Sequence, residues 1–586
     1  MPTANAVAPP RRQALVNAQI AAALDEMADL LEIGGANPFR VRAYRNAART
    51  VGSLSASVHA MPEAELDDLP GIGADLAGKI RQLATTGTCD LLAQLRKEAS
   101  PAITELLKIP GLGPHRVAAL RKALDITTMD QLQRAAKDGR IRSVRGFGEK
   151  LEKEILQATA ARVDQARRFK LADAAPVADA LLAGLRAVPG VEQAVAAGSL
   201  RRRRDTVGDL DLLVTVRHDN DVVAQFVSQP GVRQVLAHGH TRGSVILDSG
   251  MQVDLRVVPR ESFGAALQYF TGSKAHNIAL RRLGQERGLK INEYGVFRDS
   301  QRIAGATEAS VYRSVGLPYI EPELREDRGE LDAARERRLP RLLELADLRG
   351  DLHVHTKKSD GRDTLQRMVE AARERGLKYI AITEHSKRLT VARGLDAKRL
   401  AQQIDEIDRL NATLDGFTVL KGIEVDILED GKLDLPDTVL RRLDLVVGAI
   451  HHRFDLPRDK QTERLLRAMD NKHFSLLAHP TGRLIDQRAP CDIDLQRVVR
   501  HARERGCFIE LNSQPDRLDL IDTACQMAKA EGVLVSVDTD AHSGPELDFV
   551  RFGVGQARRG WLQKADVLNT RELHELRPLL ARTMQV

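Results

Sequence analysis

From about Arg12 to Ala123, apolar residues recur at helical spacing, as with Ile20, Leu24, Met27 and Leu31 in the segment from Asn17. This predicts helices, and the helical pattern continues to about Phe169. From Val195 to Pro259 the period shortens to that of strands, in AVAAG, DLDLLVTV, GSVILD and MQVDLRVV. A further segment opens with GAALQYFTGSKAHN. Residues 321–345 are densely charged with two internal prolines, which reads as a linker or an exposed helix. After Asp347 strands and helices alternate through LKYIAITEH, TVLKGIEVDI, DLVVGAIHH, FSLLAHP, CFIELNS and VLVSVDTDAHS. That alternation predicts an α/β barrel-like domain. At 586 residues the chain exceeds what one core serves, so the expectation is a multidomain α/β protein with a helical front.

Charge sharpens this division. The net charge is +7. Residues 1–345 hold 49 Lys+Arg and 42 Asp+Glu, and the remainder holds 39 of each, so the basic surplus lies wholly in the first part. A nucleic-acid partner is expected there. No run of eighteen apolar residues is present, so no membrane partner is expected. The start, MPTANAVAPPRRQ, has no apolar core of a secretory signal and reads as a frayed end. Cys89, Cys491, Cys507 and Cys525 are scattered, which suits reduced thiols and a cytoplasmic location.

Three segments share one shape: LPGIGADLAGKI, IPGLGPHRVAAL and VRGFGEKLEKEI. Each places an apolar residue, then glycines two apart (Gly71 and Gly73, Gly111 and Gly113, Gly146 and Gly148), then a helical run. Such a turn exposes backbone N–H groups beside a helix N-terminus, a seat for a DNA phosphate without sequence readout. The three resemble the helix-hairpin-helix motif of DNA repair proteins.

In GSLRRRRDTVGDLDLLVTV, Asp209 and Asp211 fall on one face of a strand. Asp254, in MQVDLRVV, adds a third carboxylate from another strand. Three such groups could hold two Mg²⁺ or Mn²⁺ ions, with Gly198, Ser199 and Arg202 offering phosphate contacts. GS…GDLD followed by VDLR looks like the nucleotidyltransferase palm. YFTGSKAHN looks like the nucleotide-binding segment of family X DNA polymerases, the DNA polymerase beta group. This resemblance runs in order over residues 12–320. It implies metal binding by Asp209, Asp211 and Asp254, and triphosphate contacts from Ser199, Arg202 and Gly208. It further implies that Tyr269, Phe270 and Gly272 line the sugar, and that Asn277 and Arg281 face the nascent pair. Gln252 departs from the arginine common beside the third aspartate. The front resembles the family's small lyase domain, with Lys79 as Schiff-base lysine and Tyr44 near it. Arg40 and Asp75 stand where phosphate-binding lysines would be.

In the back half, His353 and His355 alternate on one strand face, followed by Asp360. His385, Glu424, His451, His479, Asp540 and His542 then fall at strand ends, where barrel active sites gather. Mixed imidazole and carboxylate suits Mn²⁺, Zn²⁺ or Fe²⁺. The pattern resembles the polymerase and histidinol phosphatase (PHP) domain, a distorted barrel with three clustered metals, Mn²⁺ or Zn²⁺. His451 is assigned the ligand role over its neighbour His452.

The resemblance implies six segments: 1–88 lyase-like, 89–168 helix-hairpin-helix, 169–260 palm, 261–320 nucleotide-binding, 321–345 linker and 346–586 PHP. It implies a monomer acting on gapped or primer-template DNA with deoxynucleoside triphosphates. The expected activities are gap filling and a Mn²⁺-dependent 3′→5′ exonuclease, with abasic-site cleavage also allowed. The alternative is an end-processing nuclease or phosphatase whose front half only grips DNA.

Overall fold

The computed structural model describes residues 17–54, 58, 61–98, 106, 109, 112–149, 151–156, 168–217 and 221–584. The chain divides into two compact units, residues 1–166 and 167–586.

The first unit is helical, with helices Asn17–Ile33, Pro38–Ser53, Glu63–Asp67, Ala74–Thr86, Asp90–Glu98, Pro114–Leu124 and Met129–Lys137. The periodic residues Ile20, Leu24, Met27 and Leu31 enter one core, and Val117, Leu120 and Leu132 another. Thr128 and Gln131 form a capping box at the last of these helices. The three glycine segments fold alike. Ile72, Leu112 and Phe147 each donate their N–H to the carbonyl three residues back, at 3.0 Å. The carbonyls of Gly73, Gly113 and Gly148 then each accept the first bond of the following helix, from Ala77, Val117 and Glu152. Gly71 and Gly146 hold φ of +78° and +93°, which a side chain resists. A Cβ at Gly73, Gly113 or Gly148 would meet open space, so the turns face outward. Gly111 and the chain start lie outside the described residues.

The second unit contains a palm, a nucleotide-binding segment (residues 261–320, called the thumb below) and a barrel. The palm runs from β1 (Phe169–Lys170), β2 (Val191–Ala196), β3 (Thr206–Val207) and β4 (Asp209–Val216) through β5 (Val232–His238), β6 (Arg242–Leu247) and β7 (Gln252–Val257). Its main sheet has the order β2-β4-β7-β6-β5, with only β4 and β7 parallel. Leu210, Leu212 and Val214 point to the buried face, and Asp209 and Asp211 to the other. Leu518 and Phe552, from the C-terminal part, complete this core.

The thumb carries a small antiparallel sheet, β8 (Lys290–Asn292), β9 (Gly295–Arg298) and β10 (Gln301–Ala304). Residues 321–345 correct the linker expectation, because they are folded. Arg325 is fully buried and bonds Glu308 at 2.7 Å and the Ile320 carbonyl. Glu330 is equally buried and meets His276 Nδ1 at 2.6 Å. Glu323, Arg325 and Glu330 are buried, while the charges from Asp332 to Arg338 face water. The palm, thumb and barrel segments, expected as separate domains, form one compact unit.

The barrel has two parallel sheets. One holds β11 (Gly350–Val354), β12 (Tyr379–Ile382) and β13 (Thr418–Lys421). The other holds β14 (Glu424–Asp426), β15 (Val447–Ala449), β16 (Leu476–Leu477), β17 (Phe508–Asn512) and β18 (Val535–Asp538). Parallel bridges His385–Glu424 and Val354–Ala541 join them into a closed, distorted ring. Thr364, Asp396 and Asp494 cap the N-termini of the covering helices, and Gly506 and Gly532 end two of them in left-handed geometry. No helix among the described residues is long and apolar enough to cross a membrane.

Candidate active sites

The palm site is a cavity of about 720 Å³. Ser199, Arg202, Gly208, Asp209, Asp211, Tyr269, Phe270, Gly272, Asn277 and Arg281 all line it. Asp211 and Asp254 sit side by side in register on β4 and β7. Burial first, then the Asp209 and Asp254 charges, push the Asp211 carboxyl up to about 7. Asp209 is raised by burial and by Asp254. Asp254 Oδ1 is buried without a hydrogen bond, while Oδ2 accepts from Gln252 Nε2 at 2.8 Å. Three crowded carboxylates with an unsatisfied oxygen fit divalent cations. Gly198 has φ +61°, and a Cβ there would come within 2.5 Å of Asp211 Oδ2. Glycine is therefore required for the carboxylate to occupy its place.

Other lining groups are already engaged. Arg202 bonds Glu326 at 3.0 Å and the Thr271 carbonyl. Glu326 is shared with Arg559 at 2.9 Å. Asn277 donates to the Tyr269 carbonyl and accepts from Gln268, each at 2.7 Å, so it fastens the helix Phe263–Thr271 while facing the cavity. Tyr269 and Phe270 meet edge to face, with the Arg256 guanidinium 4.4 Å from the Phe270 ring centre. The sequence reading missed Arg168, Arg204 and Lys274, which add positive charge to the same wall. Arg204 belongs to the run Arg201–Arg204, whose density was the available signal.

The barrel site gathers all nine predicted side chains. Three groups bring their ligand atoms within 4.8 Å of one another: His355, Asp360, His385 and His542; His353, His355 and Asp540; and His385, Glu424 and His451. Glu424 is the hub. Its Oε2 lies 2.6 Å from His385 Nδ1 and 3.5 Å from His353 Nε2. Its Oε1 lies 3.2 Å from His451 Nε2 and 2.9 Å from His479 Nε2. His452 is in none of these groups.

The electrostatics match a cation site. His353 and His355 are fully buried. Burial, with His542 and His385 beside it, pushes the His355 imidazole down to about 3. Burial opposes charge on His385, yet the Glu424 and Asp360 carboxylates raise it to about 10. His353 Nε2, both His355 nitrogens, His479 Nδ1 and Asp540 Oδ1 are buried without hydrogen bonds. Orphaned imidazole and carboxylate atoms aimed at one another fit bound metal ions.

Two supporting carboxylates escaped the sequence reading. Glu510 accepts from His353 Nδ1 at 2.6 Å, and Asp426 faces His451 Nδ1 at 3.3 Å. Such partners orient a ligating imidazole. Asp426 was legible, because Glu424 and Asp426 alternate as Asp209 and Asp211 do. In the first unit, the Lys79 ammonium is bonded to the Asp75 carboxylate. Tyr44 is buried in the helical core.

Four family models match parts of the chain. Residues 266–326 match the DNA polymerase beta thumb family and 351–514 the PHP domain. Residues 16–89 match a helix-hairpin-helix domain and 103–160 a SAM-like helix-hairpin-helix tandem. A helix-hairpin-helix front, a beta-type thumb and a PHP barrel in one chain define a family X DNA polymerase with an attached PHP domain. The chain is 39% identical over 566 residues to the DNA polymerase/3'-5' exonuclease PolX of Bacillus subtilis (strain 168), covering 95% of this chain and 98% of that protein. It belongs to the PolX family. Over a shorter stretch the chain resembles a probable phosphatase of Thermoanaerobacter sp. (strain X514), 29% identical over 217 residues, which is 35% of this chain and 81% of that protein. A probable phosphatase of Acetivibrio thermocellus is 31% identical over 201 residues, 33% of this chain and 78% of that protein.

Proposed function

We propose that this chain is a DNA-directed DNA polymerase that fills short gaps and trims 3′ ends with a separate, metal-dependent exonuclease site. The observation that carries this reading is the presence, in one chain, of two unconnected metal-ligand constellations. One is Asp209, Asp211 and Asp254 beside an arginine-lined cavity; the other is the barrel cluster of eight grouped residues with His479 against Glu424. In the palm, Mg²⁺ or Mn²⁺ would be held by the three aspartates and would supply charge neutralisation for nucleotidyl transfer. Arg202, released from Glu326, takes a triphosphate oxygen. Ser199 and Gly208 let the phosphates approach the backbone, while Tyr269, Phe270 and Gly272 pack against the sugar. Asn277 keeps that helix in place, and Arg281 faces the incoming pair.

In the barrel, three Mn²⁺ or Zn²⁺ ions would be held by His353, His355, Asp360, His385, Glu424, His451, His479, Asp540 and His542, supplying Lewis-acid chemistry for phosphodiester hydrolysis. Glu510 and Asp426 fix the tautomers of His353 and His451. Gly71, Gly73, Gly111, Gly113, Gly146 and Gly148 seat DNA phosphates, and the chain acts as a monomer. Lys79 is bonded to Asp75, which does not favour a lyase nucleophile.

The test uses a one-nucleotide-gapped DNA with labelled primer in Mn²⁺. Wild type should lengthen the primer with deoxynucleotides and shorten it without them. Asp209→Ala should lose only lengthening and His353→Ala only shortening. Shortening alone in wild type would contradict the polymerase reading and favour the end-processing nuclease.

A further inference from the structure

The barrel cluster poses a problem of access. His353 and His355 are fully buried, and Glu424 is 1% exposed. Only Asp360 and His542 open appreciably to solvent, at 33% and 26% for their side chains. A paired duplex end is about as wide as a small domain, so one strand must leave its partner to reach such ligands. Something at the mouth must separate the terminal pair.

The loop Ser386–Leu395 stands at this mouth. It follows β12 directly after His385, and in a parallel barrel every such loop emerges at the ligand-bearing end. At its tip Val391 is 86% exposed, the highest value among the exposed large hydrophobic residues of the described chain. A single exposed apolar side chain is ordinary on a protein surface. This one sits on a braced pedestal. Leu395 N–H returns to the His385 carbonyl at 2.7 Å, and Arg388 N–H bonds Asp434 at 2.9 Å. Gly394 lies so close to Ser386 that a Cβ would come within 1.9 Å of its carbonyl oxygen. Arg399 ties the Arg393 carbonyl to the Lys358 carbonyl of the loop after β11, each at 2.6 Å. The pedestal also reaches the metal ligands, because Arg388 Nε lies 3.1 Å from Asp426, the partner of His451.

Charge flanks the tip. Lys387 and Arg393 are exposed and form no ion pair among the described residues. Lys357 is likewise exposed on the loop after β11. The C-terminal part is neutral overall, yet Lys357, Lys387 and Arg393 stand exposed on these two loops, with Asp434 close enough to feel Lys387. An apolar wedge between cations is the chemistry that separates and holds a nucleic-acid strand end.

We propose that the loop Ser386–Leu395 is a strand-separating wedge for the 3′ end of DNA, with Val391 inserted against the terminal base pair and Lys387 and Arg393 holding the phosphodiesters of the departing strand. This rests on the exonuclease reading above. Val391 touches no ligand, so its contribution is to admission of the end and not to hydrolysis.

The test compares three substrates for the full chain in Mn²⁺: a blunt paired 3′ end, a primer with several unpaired 3′ nucleotides, and bis(p-nitrophenyl) phosphate. Val391→Ser should slow trimming of the paired end about tenfold and of the unpaired end no more than about threefold, with the small diester cleaved at the wild-type rate. Lys387→Ala and Arg393→Ala should each lower the log–log salt slope of DNA trimming by about 0.7. Equal losses on all three substrates, or an unchanged paired-end rate in Val391→Ser, would overturn the wedge. Wild-type protein that cleaves the diester but neither DNA would instead overturn the exonuclease reading, and the wedge with it.

Discussion

In the palm, Asp209 and Asp211 line an open cavity, with Asp209 exposed and Asp254 buried. In the barrel, six imidazoles and three carboxylates converge, most of them buried, and all but His479 have ligand atoms within 4.8 Å in three groups. The palm carboxylates form no such group. The difference follows from ligand chemistry. An imidazole can be buried neutral, as His355 is, or carry charge against a carboxylate, as His385 does. Three carboxylates only repel, as the raised Asp211 records. Under the proposed function the barrel would be preassembled to retain metal, whereas the palm would take up its ions with the triphosphate.

Removing the hub tests this contrast most severely. Glu424→Ala should abolish 3′ trimming by about 10³-fold or more while gap filling stays within about twofold, read on the same gapped DNA. A parallel loss of extension would show that the sites are not independent. Glu510→Gln keeps every ligand but weakens the orientation of His353. It should reduce metal affinity of the barrel by about 10–100-fold in a competition titration, without touching extension. Chelation should lower the melting temperature of the wild-type chain by several degrees and that of Glu424→Ala much less, because the barrel's binding energy adds to folding.

The smallest effect is in the palm. Asp211 is raised on folding from its ordinary value to about 7, so its stabilisation is full below about pH 4 and is lost as pH rises through 7. In chelator, Asp211→Asn should match wild type near pH 4 and melt a few degrees higher at pH 8, with a ceiling of about 4 kcal/mol. A pH-independent difference would contradict the carboxylate crowding.

What the sequence disclosed divides along the same physical line. Alternation along a strand is a local rule, so Asp209 with Asp211 and His353 with His355 were readable, as were ligands at successive strand ends. Repetition made the glycine hairpins readable too. Tertiary pairing was not. Residues 321–345 looked solvent-facing because composition cannot reveal that Arg325 meets Glu308 or that Glu330 meets His276. Strand β5 was missed because most of its residues are exposed, leaving no clean period. The engagement of Arg202 by Glu326 joins positions 124 residues apart. Glu510 was visible in CFIELNS as a lone acid in an apolar strand, and only the fold places it against His353.

The central claim is that the barrel is a standing metal site and the palm an assembled one. The most direct measurement is the manganese content of desalted protein, by elemental analysis, for wild type, Asp209→Ala and Glu424→Ala, with and without a deoxynucleoside triphosphate. The account predicts that wild type and Asp209→Ala retain equal manganese without nucleotide, that Glu424→Ala retains little, and that nucleotide adds metal to wild type and Glu424→Ala but not to Asp209→Ala. Retained metal that disappears in Asp209→Ala and persists in Glu424→Ala would contradict it.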